Sequence, residues 1–244
     1  LYVLDPESGD ILQDDIYYYQ NSPKQAPGMS YDGEYIAWGD FNGKGYLYRW
    51  NGEQYEEVWS ANITMSGESS SWGYGCAVSS DGSTIVLGTL GFIADGYDGY
   101  VFVFNNYSGT PLWAAQTNGP VNTVDVSADG SLIAAASDGP MDHSTGDLLI
   151  YRRQSSDVFL EVNTAGSMIK VDLSDDGALC IGAGKGVHSY DMGWGGNAYL
   201  IRSTPSTAGS LSGVITLNEV SDFSGATVTI EGIDNYYEHT NSDG

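Results

Sequence analysis

The chain has 244 residues, of which 41% are hydrophobic and 16% are charged, and it contains 33 Gly and 18 Tyr. This composition indicates a globular protein of many short strands joined by tight turns and argues against disorder. With 32 acidic and 8 basic side chains the net charge is −24, which makes nucleic acid and anionic membranes poor partners. No run of about 18 apolar residues occurs in the sequence, so we expect no membrane-inserted segment.

At the N-terminus, residues 1–19 are predicted to form the last two strands of a repeat unit. Three whole units and a fourth with three clear strands are predicted to follow. Apolar runs such as "TIVL" and "LIAA" in these units indicate strands that are covered on both faces. Four strands per unit describe a propeller blade, so we predict an all-β fold, a propeller of four-stranded antiparallel blades. The whole units cover about 27–62, 73–117 and 121–163, and the fourth begins at about 168.

A Ser-x-Asp-Gly motif recurs in these units every 47 to 49 residues. Asp-Gly between two strand-like runs is the strongest short hairpin signal, and we expect type I′ turns with positive φ at both central residues. The hydroxyl of the Ser is expected to bond the backbone of its own turn. The motifs are Ser30–Gly33, Ser79–Gly82, Ser127–Gly130 and Ser174–Gly177.

Two known repeats share these features. "VSADGSLIAAAS…GDLLIYRR" resembles the WD40-type repeat, and "LYVLDPESGDIL" and "YVFVFNNYSGTPLW" resemble the quinoprotein-type (PQQ-like) repeat. The resemblance covers residues 1 to about 203, and the Trp-Asp dipeptide of strict WD40 repeats is missing. It implies a propeller and no particular activity. Because closed propellers have 4 to 8 blades, either further blades precede Leu1 or about five blades close through pairing of the chain ends.

Beyond the repeats, the composition changes. We predict a propeller over 1–203, a Ser/Thr/Pro/Gly linker over 204–210 and a second unit over 211–244. The stretches "SGVITL", "SGATVTIEG" and "TNSDG" resemble the first half of a carboxypeptidase-regulatory-like domain, a transthyretin-like β-sandwich. This resemblance implies that the chain is part of a larger multidomain protein that is extracellular or attached to the cell surface.

The loops opposite the Asp-Gly turns vary in length and are expected to be long at 62–75, 89–99, 137–146 and 184–197. Irregular loops on a rigid scaffold are where binding usually occurs. Their aromatic rings could stack on a sugar or hold a peptide, or they could simply pack their own loops. The aromatic candidates are Trp72, Phe92, Tyr97, Tyr190 and Trp194.

The same loops carry aspartates among glycines. Ca²⁺ takes oxygen ligands from flexible acidic loops of this kind, although the spacing does not match an EF-hand. No cofactor is required by any motif, and Ca²⁺ is the one metal that the pattern suits. The metal candidates are Asp95, Asp98, Asp138 and Asp142.

Two further aspartates occupy one column of the innermost strands. Asp125 and Asp172 could face a central channel as catalytic groups, or they could bond channel water or backbone. Cys76 and Cys180 fall in core columns, so we expect two packed, free thiols. The three His show no metal-ligand spacing.

Three function classes fit these observations. We expect a binding or scaffold module whose loop-rich face takes a glycan or a protein. The alternatives are a propeller enzyme, either a polysaccharide hydrolase or lyase or a quinoprotein-like oxidoreductase, and a structural surface or filament subunit adapted to salt or Ca²⁺. The quinoprotein is disfavoured because only 8 basic residues are available to hold the carboxylates of that cofactor.

Overall fold

The structure is a computed structural model that describes residues 2–5, 7–14, 27–193, 195–203, 227–231 and 236–239. Throughout these ranges the chain forms strands and turns without a helix, which confirms the all-β class. A helix of membrane-spanning length and polarity is likewise absent from the described ranges. The strands are β1 (Val3–Leu4), β2 (Ile11–Gln13), β3 (Gly28–Met29), β4 (Tyr35–Gly39), β5 (Lys44–Trp50), β6 (Tyr55–Asn62), β7 (Ser70–Val78), β8 (Thr84–Ile93), β9 (Gly96–Asn105), β10 (Ser108–Thr117), β11 (Val121–Val126), β12 (Leu132–Ser137), β13 (Gly146–Arg152), β14 (Val158–Thr164), β15 (Met168–Leu173), β16 (Leu179–Lys185), β17 (Gly196–Arg202), β18 (Thr227–Glu231) and β19 (Tyr236–His239).

Most of these strands form four consecutive antiparallel sheets. Sheet 1 is β3–β6, sheet 2 is β7–β10 and sheet 3 is β11–β14, each with its strands in sequence order. Sheet 4 begins with β15, β16 and β17, the three strands that the sequence predicts there. The predicted four-stranded units are therefore confirmed, with boundaries that differ by a few residues.

Successive sheets pack face to face, with their closest contacts along first and second strands. In sheet 2, β7 packs on β4 of sheet 1 and on β11 of sheet 3, and β11 packs in turn on β15. Four-stranded antiparallel sheets that pack in sequence order through their first and second strands are compatible with consecutive propeller blades.

The apolar runs after the Asp-Gly turns divide their side chains between two neighbours. In β12, Ile133 packs in the core shared with sheet 2, whereas the adjacent Ala134 packs in the core shared with sheet 4. In β8, Ile85 packs in the core shared with sheet 1, and the adjacent Val86 packs in the core shared with sheet 3. Because side chains alternate along a strand, a strand covered on both sides must be apolar throughout.

The Asp-Gly turns differ from the predicted type. The glycines have φ between 67° and 73°, but the only described non-Gly residue with positive φ is His143. The prediction of type I′ turns is therefore wrong, because that type needs positive φ at both central residues. Instead, the Gly130 amide donates to the Ser127 carbonyl at 2.9 Å, as in a type I turn that ends in a left-handed glycine.

The predicted role of the serine hydroxyl is confirmed. Ser127 Oγ donates to Asp129 Oδ1 at 2.7 Å and accepts a hydrogen bond from the Leu132 amide at 3.0 Å. All four motifs repeat these bonds, at 2.6–2.7 Å and 2.9–3.0 Å respectively. The hydroxyl holds the Asp inside the turn, which explains why this residue keeps a negative φ.

Neighbouring turns are also joined to one another. The Tyr31 amide donates to the Ser80 carbonyl at 3.1 Å, which connects the turns of sheets 1 and 2. The Ala128 amide donates to the Asp175 carbonyl at 2.9 Å, which connects those of sheets 3 and 4. The turn face is therefore linked by hydrogen bonds from sheet to sheet.

The strands near the two chain ends take different places. β1 and β2 form a separate hairpin, in which Val3 packs near Trp38 and the Gln13 amide exchanges two hydrogen bonds with the Tyr55 backbone, at 2.8 and 3.0 Å. β18 pairs in parallel with β17, and β19 continues the sheet. Among the described strands the two ends do not pair with each other. The predicted linker 204–210 and most of the predicted β-sandwich segment 211–244 lie outside the described residues.

Candidate functional site

The loop face is the end of the sheets where second strands connect to third strands. The predicted long loop 89–99 is wrong, because β8 and β9 extend through it and pair Phe92 with Tyr97. The two strands are joined by Ala94 and Asp95, and Gly96 follows with φ 144°. The predicted loop 62–75 is also shorter than expected, because β7 already begins at Ser70.

Four of the predicted aromatic residues meet on this face. Trp72 and Phe92 have ring centroids 4.7 Å apart, and Phe92 and Tyr97 lie 5.2 Å apart. Tyr97 of sheet 2 then contacts Tyr190, from the loop between β16 and β17, at 6.0 Å. The fifth candidate, Trp194, lies outside the described residues.

Sequence reasoning missed one member of this group. Phe41, in the short loop between β4 and β5, lies 4.9 Å from Trp72. We refer to Phe41, Trp72, Phe92, Tyr97 and Tyr190 as the aromatic row. Tyr190 is 52% exposed and the other rings are partly buried, so the row packs against itself and still presents ring surface to solvent. The predicted packing of these rings on one another is therefore confirmed, and their role in ligand binding stays a prediction.

A pair of histidines adjoins the row at its Tyr190 end. His143 and His188 stack in parallel at 4.0 Å, and their rings lie 6.2 and 5.3 Å from Tyr190. His143 Nδ1 lies 2.9 Å from Asp191 Oδ1. Burial, followed by the neighbouring His143, lowers the pKa of His188, which favours a neutral ring. The sequence signal was weak, because each histidine belongs to a different repeat and looked isolated.

The four aspartates predicted to bind metal have separate surroundings. Asp95 is exposed at the tip of the β8–β9 hairpin, and Asp142 accepts a hydrogen bond from the Ser144 amide of its own loop. Asp138 is buried, with hydrogen bonds from Asn122 and Ser189, and the buried Asp98 lies beside Glu68. Across the described ranges, no three His, Cys, Asp or Glu side chains are grouped to hold a metal ion. Ca²⁺ binding stays a prediction.

Two carboxyl groups, those of the partly buried Glu68 and the buried Asp98, approach each other beside the centre of the aromatic row. A Cβ built on Gly91 would lie 1.9 Å from Glu68 Oε1 and 2.3 Å from Asp98 Oδ1, so these oxygens are within about 4.2 Å of each other. Neither oxygen receives a hydrogen bond from the described residues, whereas Glu68 Oε2 accepts one from Ser71 and Asp98 Oδ2 accepts one from Gln116.

The surroundings of Glu68 favour its protonated form. Burial raises the pKa of Glu68, and the neighbouring Asp98 raises it further. A nearby like charge disfavours the ionised form of a carboxyl group, as burial does, so both effects act in the same direction on Glu68. Sequence reasoning missed Glu68 because it reaches Asp98 from the loop before β7.

A second polar site lies on the first strands of the sheets. Asp125 and Asp172 line a cavity of about 270 Å³ together with Lys170 and Cys76. Asp125 Oδ2 accepts a hydrogen bond from the Leu173 amide at 2.6 Å, which is the backbone role weighed from the sequence. Burial, with a smaller contribution from Asp172 beside it, raises the pKa of Asp125 to about 6. We refer to this site as the axial cavity.

The two cysteines behave as predicted. Both are free thiols, Cys180 is fully buried, and Cys76 Sγ donates to the Ala37 carbonyl at 3.2 Å. Burial raises the pKa of each thiol to about 12, so neither is a thiolate at neutral pH. We assign them no chemistry.

No protein-family model matches the sequence, and no curated protein is significantly similar to it. The aromatic row and the axial cavity are therefore the features that point to a function.

Proposed function

We propose that this chain is a secreted or cell-surface binding module of propeller type whose aromatic row takes a glycan or a segment of a protein. The observation that carries the proposal is the continuity of the row. Loops and strands from sheets 1, 2 and 4 each contribute rings, and successive centroids lie 4.7–6.0 Å apart. Scattered aromatic residues would not produce an extended strip of this kind.

The chemistry of the strip sets the type of ligand. Aromatic faces stack on the apolar faces of sugars and on flat or aliphatic side chains. Asp142 and Asp191 beside the row can accept hydrogen bonds from hydroxyl or amino groups. The net charge of −24 repels anionic ligands, so we expect neutral or basic glycans and basic peptide segments.

Tyr190→Ala tests this proposal, with Tyr107→Ala as the matched control. Tyr190 is 52% exposed in the row, whereas Tyr107 is 79% exposed in the β9–β10 turn at the opposite end of the sheets. Both variants should fold, because neither ring is buried. On an array of neutral and basic glycans and basic peptides, we expect Tyr190→Ala to bind about tenfold more weakly, roughly 1.4 kcal/mol, and Tyr107→Ala to bind normally.

Two outcomes would contradict the proposal. One is full binding by Tyr190→Ala, and the other is an equal loss in both variants. Ca²⁺ dependence is a separate question, which thermal unfolding answers directly. A melting temperature that is the same in millimolar Ca²⁺ and in chelator would remove the predicted calcium site.

The axial cavity favours a second candidate function, a polysaccharide hydrolase or lyase. A carboxyl group with a pKa of about 6 beside a second carboxyl group can exchange a proton near neutral pH, as general acid–base catalysis requires. Asp125→Asn keeps the shape of the side chain and removes its titration. Turnover of polysaccharide that survives this substitution would exclude Asp125 as the catalytic group, and the absence of turnover by the unsubstituted chain would exclude the enzyme. Binding by the aromatic row should be unaffected by the substitution.

A further inference from the structure

The connection between β16 and β17 supplies the most exposed ring of the aromatic row, that of Tyr190. This connection spans residues 186–195 and is longer than the corresponding connections in sheets 1–3. A long surface loop moves unless contacts order its backbone. The place of Tyr190 in the row therefore depends on what holds this loop.

The side chain of Lys185 contacts the backbone of the loop at three points. Lys185 is the last residue of β16 and is partly buried. Its Nζ donates to the carbonyls of Asp191 at 3.0 Å, Ser189 at 3.1 Å and His188 at 3.4 Å. An ammonium group has three N–H donors and no acceptor, so three carbonyls satisfy it completely.

These carbonyls lie on both sides of Tyr190. The Asp191 amide donates to the His188 carbonyl at 2.9 Å, so residues 188–191 form a turn with Tyr190 inside it. A further bond anchors the loop to sheet 4 through Ser189, whose amide donates to Ser167 Oγ at 2.8 Å. Since the bonds of Lys185 bracket Tyr190, its ammonium group fixes the backbone from which this ring projects.

The ammonium group is held by the backbone and not by a carboxylate. Among the described residues no carboxylate lies within ion-pair distance of Lys185 Nζ, although the chain has 32 acidic side chains. Carbonyl oxygens that converge on one point repel one another through their partial negative charges, and a cation at that point offsets the repulsion. Loops that bind metal ions through carbonyl oxygens use the same principle.

We propose that Lys185 is a positioning residue for the aromatic row. Its ammonium group takes the place of a bound cation inside the β16–β17 loop and holds Tyr190 beside Tyr97, with ring centroids 6.0 Å apart. The benefit to a ligand rests on the proposed function of the row. A role of Lys185 through charge alone predicts the opposite effect on basic ligands, because removal of a positive charge would strengthen their binding.

Three substitutions separate these roles. Lys185→Met removes the ammonium group and keeps a side chain of similar length, whereas Lys185→Arg keeps a positive charge and N–H donors. Lys44→Met is the matched control, because Lys44 is exposed at the start of β5, at the same end of the sheets, and its replacement removes the same charge. Circular dichroism checks that each variant is folded.

Hydrogen exchange of the whole chain without a ligand, followed by mass spectrometry, tests whether Lys185 orders the loop. We expect peptides that cover 186–193 to exchange about tenfold faster in Lys185→Met, with a smaller increase in Lys185→Arg and none in Lys44→Met. Peptides that cover the Ser-x-Asp-Gly turns are the internal reference and should not change. Unchanged exchange over 186–193 in Lys185→Met, or an equal increase at the turns, would overturn the proposal.

Binding to the same array of glycans and basic peptides tests the effect on the row. If the loop holds Tyr190 correctly for only part of the time, affinity falls in proportion, so we expect Lys185→Met to bind about fivefold more weakly. Lys44→Met should bind normally, and Lys185→Arg should recover part of the loss. Full or tighter binding by Lys185→Met, where Tyr190→Ala binds weakly, would overturn the positioning role. Full binding by Tyr190→Ala contradicts the proposed function alone, because hydrogen exchange still decides whether Lys185 orders the loop.

Discussion

The repeated serine turns allow one hydrogen-bonding pattern to be tested at two degrees of burial. Ser127 is fully buried, and its hydroxyl bonds Asp129 at 2.7 Å and the Leu132 amide at 3.0 Å. Ser174 makes the equivalent bonds at 2.7 and 2.9 Å but is partly exposed. Replacing each serine with alanine removes the same two bonds, and only at Ser174 can water replace them.

The expected magnitudes follow from this difference. A buried group that loses its hydrogen-bond partner costs about 1–3 kcal/mol, so we expect Ser127→Ala to lower the free energy of unfolding by about 2 kcal/mol. For Ser174→Ala we expect a loss below about 1 kcal/mol, because solvent satisfies the freed amide. In a chain of this size the melting temperature should fall by about 4–8 °C in Ser127→Ala and by less than about 4 °C in Ser174→Ala.

Urea unfolding, followed by tryptophan fluorescence and circular dichroism, measures both variants against the unsubstituted chain. The comparison requires equal m-values, so that the midpoints report stability alone. Equal losses at the two positions, or a larger loss at Ser174, would refute the argument that burial decides the strength of these bonds.

Three further predictions concern the carboxyl groups and the thiols. Gly91→Ala would place its methyl carbon 1.9 Å from Glu68 Oε1, so the ends of the Glu68 and Asp98 side chains must move apart; we expect a small fall in melting temperature, and an unchanged melting curve would contradict their close approach. Burial raises the pKa of Asp125 from 3.8 to about 6, so its contribution to the free energy of unfolding is present below about pH 4 and is lost as the pH rises through about 6. In Asp125→Asn that part of the pH dependence of the urea midpoint should disappear. Cys76 and Cys180 should react slowly with iodoacetamide until urea unfolds the chain, and rapid labelling of the native protein would show that they are accessible.

Local patterns predicted the sheets well because each unit carries its own signals. The Asp-Gly period located the turns, and apolar runs such as that around Ile133 correctly indicated strands covered on both sides. The turn type was wrong because Asp-Gly alone does not reveal that a serine hydroxyl holds the Asp. The extension of β8 and β9 was missed because Asp95-Gly96 was interpreted as part of a long loop, although it also fits a tight hairpin.

The candidate site was harder to predict from the sequence than the sheets, because its residues come from separate units. Trp72, Phe92, Tyr97 and Tyr190 were predicted as a group from their shared face, but no sequence signal gave their order in the row. Glu68 was not predicted, since its importance comes from the approach of Asp98 across a sheet. Contacts of this kind depend on how sheets pack, which motif spacing does not encode.

The hydrogen bonds between neighbouring turns, such as Ala128 to Asp175, make the two ends of the sheets unequal for protein engineering. A foreign sequence inserted at a Ser-x-Asp-Gly turn would break bonds in its own sheet and in the next one. The connections between second and third strands already range from two residues at 94–95 to ten at 186–195, so that end accommodates grafted segments. New binding specificities should therefore be introduced in the connections between second and third strands, while the Ser-x-Asp-Gly turns are left unchanged.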